Sequence, residues 1–361
     1  MSADILTLRQ GVFERDDELA AAGHEQIVFC RDDASALKAI ISIHDTTLGP
    51  ALGGTRFYPY ATESEALRDG LRLSQGMTFK NAAANLPLGG GKAVIIGDPT
   101  TAKTPELLRA YGRFVERLNG LYVTAADVGT DSDDLDVIGR ATSHVVGRNA
   151  AAGGSGDSGG STALGVFHAM RAAAEFTWGS DGLNGRTVGV EGLGKVGRVL
   201  VDLLRQEGAT LVVTDPSDEA VRRVAEHGDA VRVVGSLAGV AMDVYAPCAL
   251  GATLTAESVG ALQASLVCGA ANNQLATGDI GALLFQRGIT WVPDYVANAG
   301  GVIQVGGELL GHTPEQVLHD ICRVGDTTRE ILTRSAEAGI PAGTAAADIV
   351  NARLQAARDR S

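Results

Sequence analysis

The chain has 361 residues, 45% of them hydrophobic, and a formal net charge of −13. This length and composition predict two domains with sizeable cores. The negative charge and the lack of a basic stripe argue against nucleic-acid binding, because a nucleic-acid-binding surface must neutralise phosphates. No apolar run approaches the roughly 20 residues of a membrane span, and the N-terminus lacks the basic and apolar regions of a signal peptide.

The cysteines and histidines form no recognisable metal or disulfide pattern. The four cysteines, at positions 30, 248, 268 and 322, are scattered and contain no C-x-x-C pair. The seven histidines include no H-E-x-x-H motif. We therefore expect neither a metal site nor disulfides, and a reducing, cytoplasmic location.

The first quarter of the chain predicts a hairpin followed by a glycine pair. Residues 1–23 are polar and alanine-rich, with helical character. Residues 27–30 and 37–43 predict two strands joined by a turn. Gly53 and Gly54 follow, and we expect them in a loop. Adjacent glycines there can hold a carboxylate with exposed N–H groups, but they are equally typical of an ordinary turn.

Two lysines come next, each beside a predicted element. Helical periodicity covers Glu63–Phe79, and Lys80 follows it. A glycine loop, residues 89–91, precedes Lys92 and an apolar strand predicted at residues 93–97. A P-loop is excluded, because an alanine follows Lys92 where a P-loop has a serine or threonine for Mg²⁺. Lys92 is poorly placed for an ordinary solvated charge, whereas Lys80 alone could be a helix-end cation.

The middle of the chain predicts a helix, a strand and a domain hinge. Thr104–Leu118 predicts a helix capped by Thr104, and residues 122–130 predict a strand that carries Asp127 at its end. An aspartate there is also commonly a turn residue. The glycine-rich and serine-rich stretch 147–160 predicts a hinge. We expect a first domain over residues 1–148, a second over 149–337, and a last helix, about 338–361, packed back on the first.

After a helix at 161–176, the second domain opens with a strand, a glycine loop and a helix. The strand is Thr187–Val190, and Gly192, Gly194 and Gly197 follow at G-x-G-x-x-G spacing. The first glycine permits a tight turn, the second lets the backbone approach a pyrophosphate, and the third allows close helix packing. The next helix, Val199–Gln206, directs its positive N-terminus at that phosphate.

The next strand completes a dinucleotide-binding pattern. Thr210–Thr214 ends at Asp215, about 20 residues after the loop, where a carboxylate accepts a hydrogen bond from a ribose 2′-hydroxyl. Asp215 would repel a 2′-phosphate, and residues 216–218 include no arginine, so the pattern favours NAD over NADP. The loop residues Leu193, Lys195 and Val196 belong to the predicted site.

Beyond Asp215, helices and strands alternate, which predicts a doubly wound α/β domain. Strands are predicted at 240–245, 266–269 and 289–292, and helices from Leu309 onward and after Pro341. Two strands lead into asparagine-containing segments, 270–273 and 297–301. Such residues are usually turn residues, but at the carboxyl ends of parallel strands they also line ligand crevices.

Seven motifs, in order and covering almost the whole chain, resemble the amino-acid dehydrogenases of the glutamate/leucine/phenylalanine/valine superfamily, most of all its leucine and valine branch. They are GPALGGTR (49–56), GMTFKN (76–81), GGGK (89–92), ADVGT (126–130), YAPCALG (245–251), GAANNQ (269–274) and NAGGV (298–302). The resemblance implies a first domain for substrate and catalysis, a second, Rossmann-type NAD-binding domain, and a cleft between them. It also implies NAD-dependent oxidative deamination of an L-amino acid to a 2-oxo acid and ammonia, and a homo-oligomer formed through the first domain.

The resemblance also implies roles for individual residues. Lys80, with the backbone of Gly53 and Gly54, would hold the substrate carboxylate. Lys92 would be the general base, and Asp127 would help to move protons. Further residues would line the side-chain pocket (Leu52, Ala125, Val302 and Val305), orient substrate and nicotinamide (Asn298), or lie near the nicotinamide (Ser158, Thr162, Ala271 and Asn273).

The pocket residues favour a branched aliphatic substrate: valine, leucine or isoleucine. Glutamate enzymes of the family carry a lysine and a serine at the positions of Leu52 and Val305, and burying a carboxylate without such partners is costly. Phenylalanine enzymes, the alternative within the family, carry a smaller residue at the position of Val302. One departure is the pair Gly306-Gly307, where relatives usually have Ala-Asp; glycine costs a helix about 1 kcal/mol per residue.

Two functions of other classes agree less well with the sequence. A dinucleotide-binding sensor without catalysis would not need Lys80, Lys92 and Asp127, and all three are present. A 2-hydroxy-acid dehydrogenase would need a histidine paired with a carboxylate at strand ends of the cofactor domain, and the sequence predicts no such pair.

Overall fold

The computed structural model describes residues 23–225 and 231–360. Within these ranges the chain forms two sheets, one of five strands and one of six, each with helices packed around it. The predicted α/β fold, with a Rossmann-type second domain, is confirmed. Residues 1–22, nearly all of the N-terminal segment with predicted helical character, lie outside the described residues.

The first sheet has the strand order β1-β2-β4-β3-β5. The strands β1 and β2 form the predicted antiparallel hairpin, while β3 runs parallel to both β4 and β5. The strands are β1 (Gln26–Asp32), β2 (Leu37–Asp45), β3 (Ala51–Tyr58), β4 (Gly89–Ile96) and β5 (Tyr122–Ala126). The helices of this part are α1 (Glu63–Ala83), α2 (Pro105–Glu116) and α3 (Ser132–Ile138).

Two glycine segments expected in loops lie inside strands, so that expectation is wrong. Gly53 and Gly54 belong to β3, and residues 89–91 begin β4. A β-carbon added to Gly53 would lie 1.7 Å from the Gly91 carbonyl oxygen, and one on Gly90 would lie 2.1 Å from the Thr78 nitrogen of α1. The glycines therefore allow a close approach between neighbouring elements instead of a turn.

Helix α1 is longer than the sequence predicts, and this decides the position of Lys80. The helix begins after Thr62, whose side chain accepts a hydrogen bond from the Glu65 N–H, and it continues to Ala83. Lys80 therefore lies in its last turn, where a cation is favoured by the helix dipole. The close contact at Gly90 holds this end of α1 against β4, the strand that carries Lys92.

The described strands of the second sheet lie in the order β8-β7-β6-β9-β10-β11, and every neighbouring pair is parallel. This is the strand order of the doubly wound dinucleotide-binding fold, and its direction of winding reverses between β6 and β9. Ligands bind at such a point, outside the carboxyl ends of the strands. The strands are β6 (Thr187–Glu191), β7 (Thr210–Thr214), β8 (Val231–Val233), β9 (Val244–Pro247), β10 (Leu266–Val267) and β11 (Thr290–Trp291).

Helices flank this sheet and extend beyond it. They are α4 (Gly159–Trp178), α5 (Gly197–Gln206), α6 (Asp218–Ala225), α7 (Ala256–Ala261), α8 (Ile280–Gln286), α9 (Asp294–Ala297), α10 (Gly300–Leu310), α11 (Pro314–Cys322), α12 (Val324–Ala338) and α13 (Ala342–Arg358). The prediction of helical structure from Leu309 onward agrees with α11 and α12, and Leu309 itself lies at the end of α10. Gly311, with a φ of +70°, ends that helix, and Pro314 begins the next.

The glycine pair that departs from relatives lies inside α10 without interrupting it. A β-carbon on Gly306 would lie 3.1 Å from Leu86 Cδ1, and one on Gly307 would lie 2.5 Å from Val317 Cγ2. The pair therefore allows α10 to pack closely against the segment after α1 and against α11. This close packing is the structural reason for glycine at a position that otherwise favours alanine.

The C-terminal helix α13 contacts the end of α1. Arg353 Nη1 donates to the carbonyl oxygens of Ala82 and Ala83 at 2.9 and 3.1 Å, and Arg358 Nη2 lies 2.6 Å from Asp45 Oδ2. These contacts are those expected of a helix that returns to the first domain, whereas the exact domain boundaries stay a prediction. No helix within the two described ranges is long and apolar enough to cross a membrane.

Candidate active site

A cleft of about 380 Å³ lies where the two halves of the chain meet. One wall comes from β3, β4, the end of β5 and α1, and the other comes from the glycine loop, α4, α9 and α10. The sequence-predicted site residues that line it are Leu52, Gly53, Lys80, Lys92, Ala125, Asp127, Ser158, Thr162, Lys195, Val196, Asn273, Asn298, Val302 and Val305. The predicted site residues that do not line it are Gly54, Gly192, Leu193, Gly194, Gly197, Asp215 and Ala271. A β-carbon on Gly54 would lie 2.4 Å from the Ala126 carbonyl oxygen, and the Ala271 N–H donates to the Pro247 carbonyl oxygen.

Lys92 and Asp127 form an ion pair in this cleft. Lys92 is a buried residue of β4, and its Nζ lies 2.8 Å from Asp127 Oδ2. Asp127 directly follows β5, in a turn closed by its N–H, which donates to Thr130 Oγ1 at 2.9 Å. The predicted strand at 122–130 is therefore shorter in the structure and ends at Ala126, and the turn directs the carboxylate toward Lys92.

Arg56, which sequence reasoning did not single out, binds the same carboxylate. Its Nε donates to Asp127 Oδ2 at 2.9 Å, and its Nη1 lies 2.9 Å from Asp69 Oδ2. Burial alone would raise the pKa of Asp127, but the charges of Lys92 and Arg56 outweigh burial and bring the pKa to about 2. Asp127 is therefore an anion at neutral pH. Arg56 stands in the quoted GGTR motif, but no spacing rule connects it to residue 127.

Lys80 reaches the cleft from the last turn of α1. Leu73 and Met77 line the cleft from the same helix face, at positions i−7 and i−3. Burial lowers the pKa of Lys80 to about 8, although the negative charge of Asp294 opposes this shift. A protonated Lys80 at neutral pH suits a partner for a ligand carboxylate.

Asp294 is a second site residue that the sequence did not reveal. It begins α9, and its Oδ2 accepts the Asn273 N–H at 2.7 Å. Burial raises the pKa of Asp294, against the opposing effects of that hydrogen bond and of Lys80. Asp294 thus brings a carboxyl group from the second domain to the cleft that Lys80 lines from the first.

One part of the cleft is apolar. Leu52, Ala125, Val302 and Val305 are all buried and all line it. They come from β3, β5 and α10, so both halves of the chain contribute to this pocket. Its lining suits an aliphatic side chain and offers an acidic one no cation of its own.

The glycine loop has the geometry that its spacing predicts. Gly192 has a φ of +96°, and a β-carbon on Gly197 would lie 1.9 Å from the Gly192 carbonyl oxygen. A β-carbon on Gly194 would meet nothing within 4 Å. The first and third glycines are therefore required by close packing, whereas the second leaves open space, as an approaching phosphate needs.

Asp215 faces this loop from the end of β7. Its Oδ2 accepts the Leu193 N–H at 2.7 Å, and its Oδ1 accepts the Ser217 N–H at 2.8 Å. Each carboxylate oxygen has two lone pairs, so both retain capacity for a ribose hydroxyl. Beside the loop, Lys195 Nζ lies 2.7 Å from Asp157 Oδ2.

Among the described residues, the side-chain amide nitrogen of Asn298 has hydrogen-bond partners and its amide oxygen has none. Its Nδ2 donates to the Ala270 carbonyl at 3.0 Å and to Asn272 Oδ1 at 2.8 Å. Its Oδ1 is buried and has no partner among the described residues. An unpaired buried acceptor is costly, so a donor on a ligand would stabilise this arrangement. With the open Gly194 and the oriented Asp215, the residues present fit a dinucleotide.

Comparison with known proteins gives the family. A model described as "Glu/Leu/Phe/Val dehydrogenase, dimerisation domain" matches residues 24–144, and one described as "Glutamate/Leucine/Phenylalanine/Valine dehydrogenase" matches residues 153–228 and 214–358. The chain belongs to the Glu/Leu/Phe/Val dehydrogenase family.

Individual relatives support this family assignment over nearly the full length of the chain. The chain is 52% identical to the valine dehydrogenase of Streptomyces virginiae, over 93% of this chain and 95% of the relative. It is 47% identical to the leucine dehydrogenase of Bacillus subtilis, over 93% and 92%. The crystal structure of the L-tryptophan dehydrogenase from Nostoc punctiforme has a TM-score of 0.82 at 42% identity, covering 96% of this chain and 99% of that one.

Proposed function

We propose that this protein catalyses the reversible, NAD-dependent oxidative deamination of a branched-chain L-amino acid to the 2-oxo acid and ammonia. The observation that carries the proposal is the Lys92–Asp127 pair, which shares one cleft with Lys80, an apolar pocket and the edge of the glycine loop. The valine and leucine dehydrogenases among its relatives support the same reaction.

In this proposal the two lysines have different roles: Lys80 binds the substrate and Lys92 moves protons. Lys80, with the backbone of Gly53 and Gly54, holds the substrate carboxylate through a charge-assisted hydrogen bond. When bound, NAD supplies the acceptor for the hydride that leaves the α-carbon. Lys92, in its neutral form, removes a proton from the water that attacks the resulting imine carbon. It then transfers this proton to the amino group and, as ammonia leaves, takes up the proton of the added hydroxyl, whose oxygen becomes the carbonyl oxygen of the 2-oxo acid.

The same proposal assigns the remaining polar groups. Asp127 orients Lys92, because Lys92 Nζ and Asp127 Oδ2 lie 2.8 Å apart. Asn298 Oδ1, buried and unpaired among the described residues, accepts a hydrogen bond from the substrate or the nicotinamide carboxamide. Asp215 binds the ribose and, by repelling a 2′-phosphate, selects NAD over NADP. Ser158, Thr162 and Asn273 lie at the nicotinamide end.

The pocket lining supports a branched aliphatic side chain. Leu52 and Val305 offer no charged partner, so a glutamate side chain would be buried unpaired. Valine and leucine differ by one methylene, worth about 1–3 kcal/mol in such a pocket, and the relatives include enzymes named for each. We further infer a homo-oligomer formed through the first domain, because residues 24–144 match a family model described as a dimerisation domain.

A substrate panel tests this proposal. Initial rates of NAD reduction at neutral to mildly alkaline pH, where Lys80 still carries its proton, would be measured for valine, leucine, isoleucine, phenylalanine, tryptophan and glutamate. The branched-chain amino acids are expected to give the highest kcat/KM. Phenylalanine or tryptophan ranking first would favour an aromatic substrate. The structural relative from Nostoc punctiforme is named for such a substrate, tryptophan. NAD binding without turnover of any amino acid would instead support a sensor.

A further inference from the structure

One carboxylate holds both ends of the loop that joins the domains. Glu308 of α10 accepts the Gly147 N–H at 2.9 Å and the Ser155 N–H at 2.8 Å, both on Oε2. Between these points the chain folds back on itself, because the Gly156 N–H donates to the Arg148 carbonyl at 2.9 Å. Residues 147–156, here termed the hinge loop, make up most of the segment 147–160 that composition predicts as a hinge. This loop is therefore internally hydrogen-bonded.

Gly147 connects the hinge loop to the first domain. Its carbonyl oxygen accepts a hydrogen bond from Ser132 Oγ, in the first turn of α3, at 2.9 Å. Residues 144–146, directly before it, lie beside β5 through hydrogen bonds with Thr124. The peptide groups of Gly147 are thus bound from two sides, by α3 of the first domain and by Glu308 of the second.

Gln304, one turn before Glu308, binds the other end of the hinge loop. Its Nε2 donates to the Ser155 carbonyl at 2.8 Å, and its Oε1 accepts a hydrogen bond from Ser161 Oγ at 2.6 Å. Ser161 lies in the first turn of α4. Helix α10 therefore fixes the hinge loop and the start of the second domain together.

The same helix forms part of the substrate pocket. Val305, three residues before Glu308, lines the cleft, as does Gly147. A β-carbon added to Gly147 would lie 3.4 Å from Val305 Cγ1, so the two residues pack against each other. A movement of Gly147 away from Glu308 would therefore open the pocket beside Val305.

We propose that Glu308 is a positioning residue that couples the hinge loop to the side-chain pocket. Its carboxylate fixes Gly147 and Ser155 to α10 and so keeps Val305 against Gly147. Among the described residues Glu308 is not part of the cleft lining, so it acts through its neighbours. The effect on substrate rests on the function proposed above, whereas the hold on the hinge loop does not.

Hydrogen exchange tests the hold on the loop without any assay of activity. Exchange of peptides covering residues 144–156 would be followed by mass spectrometry in the full-length protein. Glu308→Ala removes the acceptor of both hydrogen bonds, and we expect amide exchange there to be about tenfold faster because two charge-assisted hydrogen bonds are lost. Glu308→Gln keeps an oxygen but loses the charge, and about threefold is expected. Glu337→Ala, on an exposed position of α12, is the matched control and should leave the peptide unchanged.

Kinetics test the coupling to the pocket. In Glu308→Ala the KM for valine should rise about tenfold, while kcat changes less than about threefold and the Kd for NAD stays constant. The ratio of kcat/KM for valine to that for phenylalanine should fall, because Glu308 no longer keeps Gly147 against Val305 and the pocket there can widen. A role in folding alone would lower kcat for all substrates equally and leave KM and this ratio unchanged.

Each outcome is decisive. If amide exchange in Glu308→Ala proceeds at wild-type rates, Glu308 does not hold the hinge loop. If exchange is faster but the KM for valine and the substrate ratio are unchanged, Glu308 holds the hinge loop without affecting the side-chain pocket. If Glu308→Ala does not fold, the same two comparisons are made with Glu308→Gln. If the wild-type protein turns over no amino acid, the proposed function and the substrate half of this inference are both lost, whereas the exchange result still decides the other half.

Discussion

Lys92 and Asp127 are joined by a 2.8 Å contact between Nζ and Oδ2, and the same oxygen accepts a hydrogen bond from Arg56 Nε at 2.9 Å. Two cations on one oxygen keep Asp127 ionised, with a pKa of about 2 in spite of its burial. The carboxylate therefore orients Lys92 and does not compete with it for protons at neutral pH. Lys92 is the group whose replacement tests the assignment of the base.

Replacing Lys92 by alanine should abolish turnover and leave NAD binding nearly intact. Lys92 belongs to β4 of the first domain, whereas the glycine loop and Asp215 belong to the second. We expect kcat to fall at least about 10²-fold, the low end for a positioned acid–base group. The measurements are steady-state kinetics and a fluorescence titration with NAD. Lys38→Ala, an exposed change on β2, is the control and should keep full activity. A Lys92→Ala enzyme with most of its kcat would contradict the assignment.

The pH dependence of kcat/KM should show an alkaline limb that belongs to Lys80. Burial lowers its pKa to about 8 in the free protein. Below that pH the ammonium is present and binds the substrate carboxylate, and above it this interaction is lost, so kcat/KM should decline with an apparent pKa near 8. Lys80→Ala should raise the amino-acid KM strongly and should lack this limb. An alkaline limb that persists unchanged in Lys80→Ala would assign it to another group.

Much of the second domain could be predicted from sequence because its signals are local. The glycine spacing, the following helix and Asp215 all lie within one continuous stretch, and the structure places Asp215 against the glycine loop, where its Oδ2 accepts the Leu193 N–H. Lys80, Lys92 and Asp127 could be named because each lies in a recognisable motif. Lys92 and Asp127 lie close together because the sheet order places β3 between β4 and β5, and Lys80 joins them because α1 packs closely against β4 at Gly90.

The features that sequence reasoning missed depend on contacts between distant segments. Arg56 meets Asp127 across 71 positions, and Glu308 meets Gly147 across 161. Gly53 and Gly90 were expected in loops, because the close neighbours that require glycine come from other elements, which no local pattern reveals. Asp294 follows a proline before a short helix and looks locally like a cap residue, so its position in the cleft could not be inferred.

The close packing at Gly90 should make this position intolerant of a side chain. A β-carbon there would lie 2.1 Å from the Thr78 backbone nitrogen, so α1 would have to move. We expect Gly90→Ala to lower the free energy of unfolding by about 1–3 kcal/mol, as overpacking does, and to raise the amino-acid KM, because Lys80 lies on the displaced helix. Denaturant unfolding and kinetics measure the two effects. Gly278→Ala, where a β-carbon meets nothing within 4 Å, is the control; equal stability of the two variants would contradict the packing argument.

Val302→Ala should shift substrate preference toward phenylalanine. Val302 is buried on α10 and lines the apolar part of the cleft with Val305 and Leu52. Shortening it enlarges the pocket, so an aromatic ring gains space while valine loses contacts worth about 1–3 kcal/mol, or 10–200-fold in kcat/KM. The ratio of kcat/KM for phenylalanine to that for valine is the measurement, since a ratio within one variant is independent of the fraction of folded enzyme. Val115→Ala, in the buried core behind the first sheet, should reduce stability without changing this ratio. The same ratio in Val302→Ala and in the wild type would show that Val302 does not contact the substrate side chain.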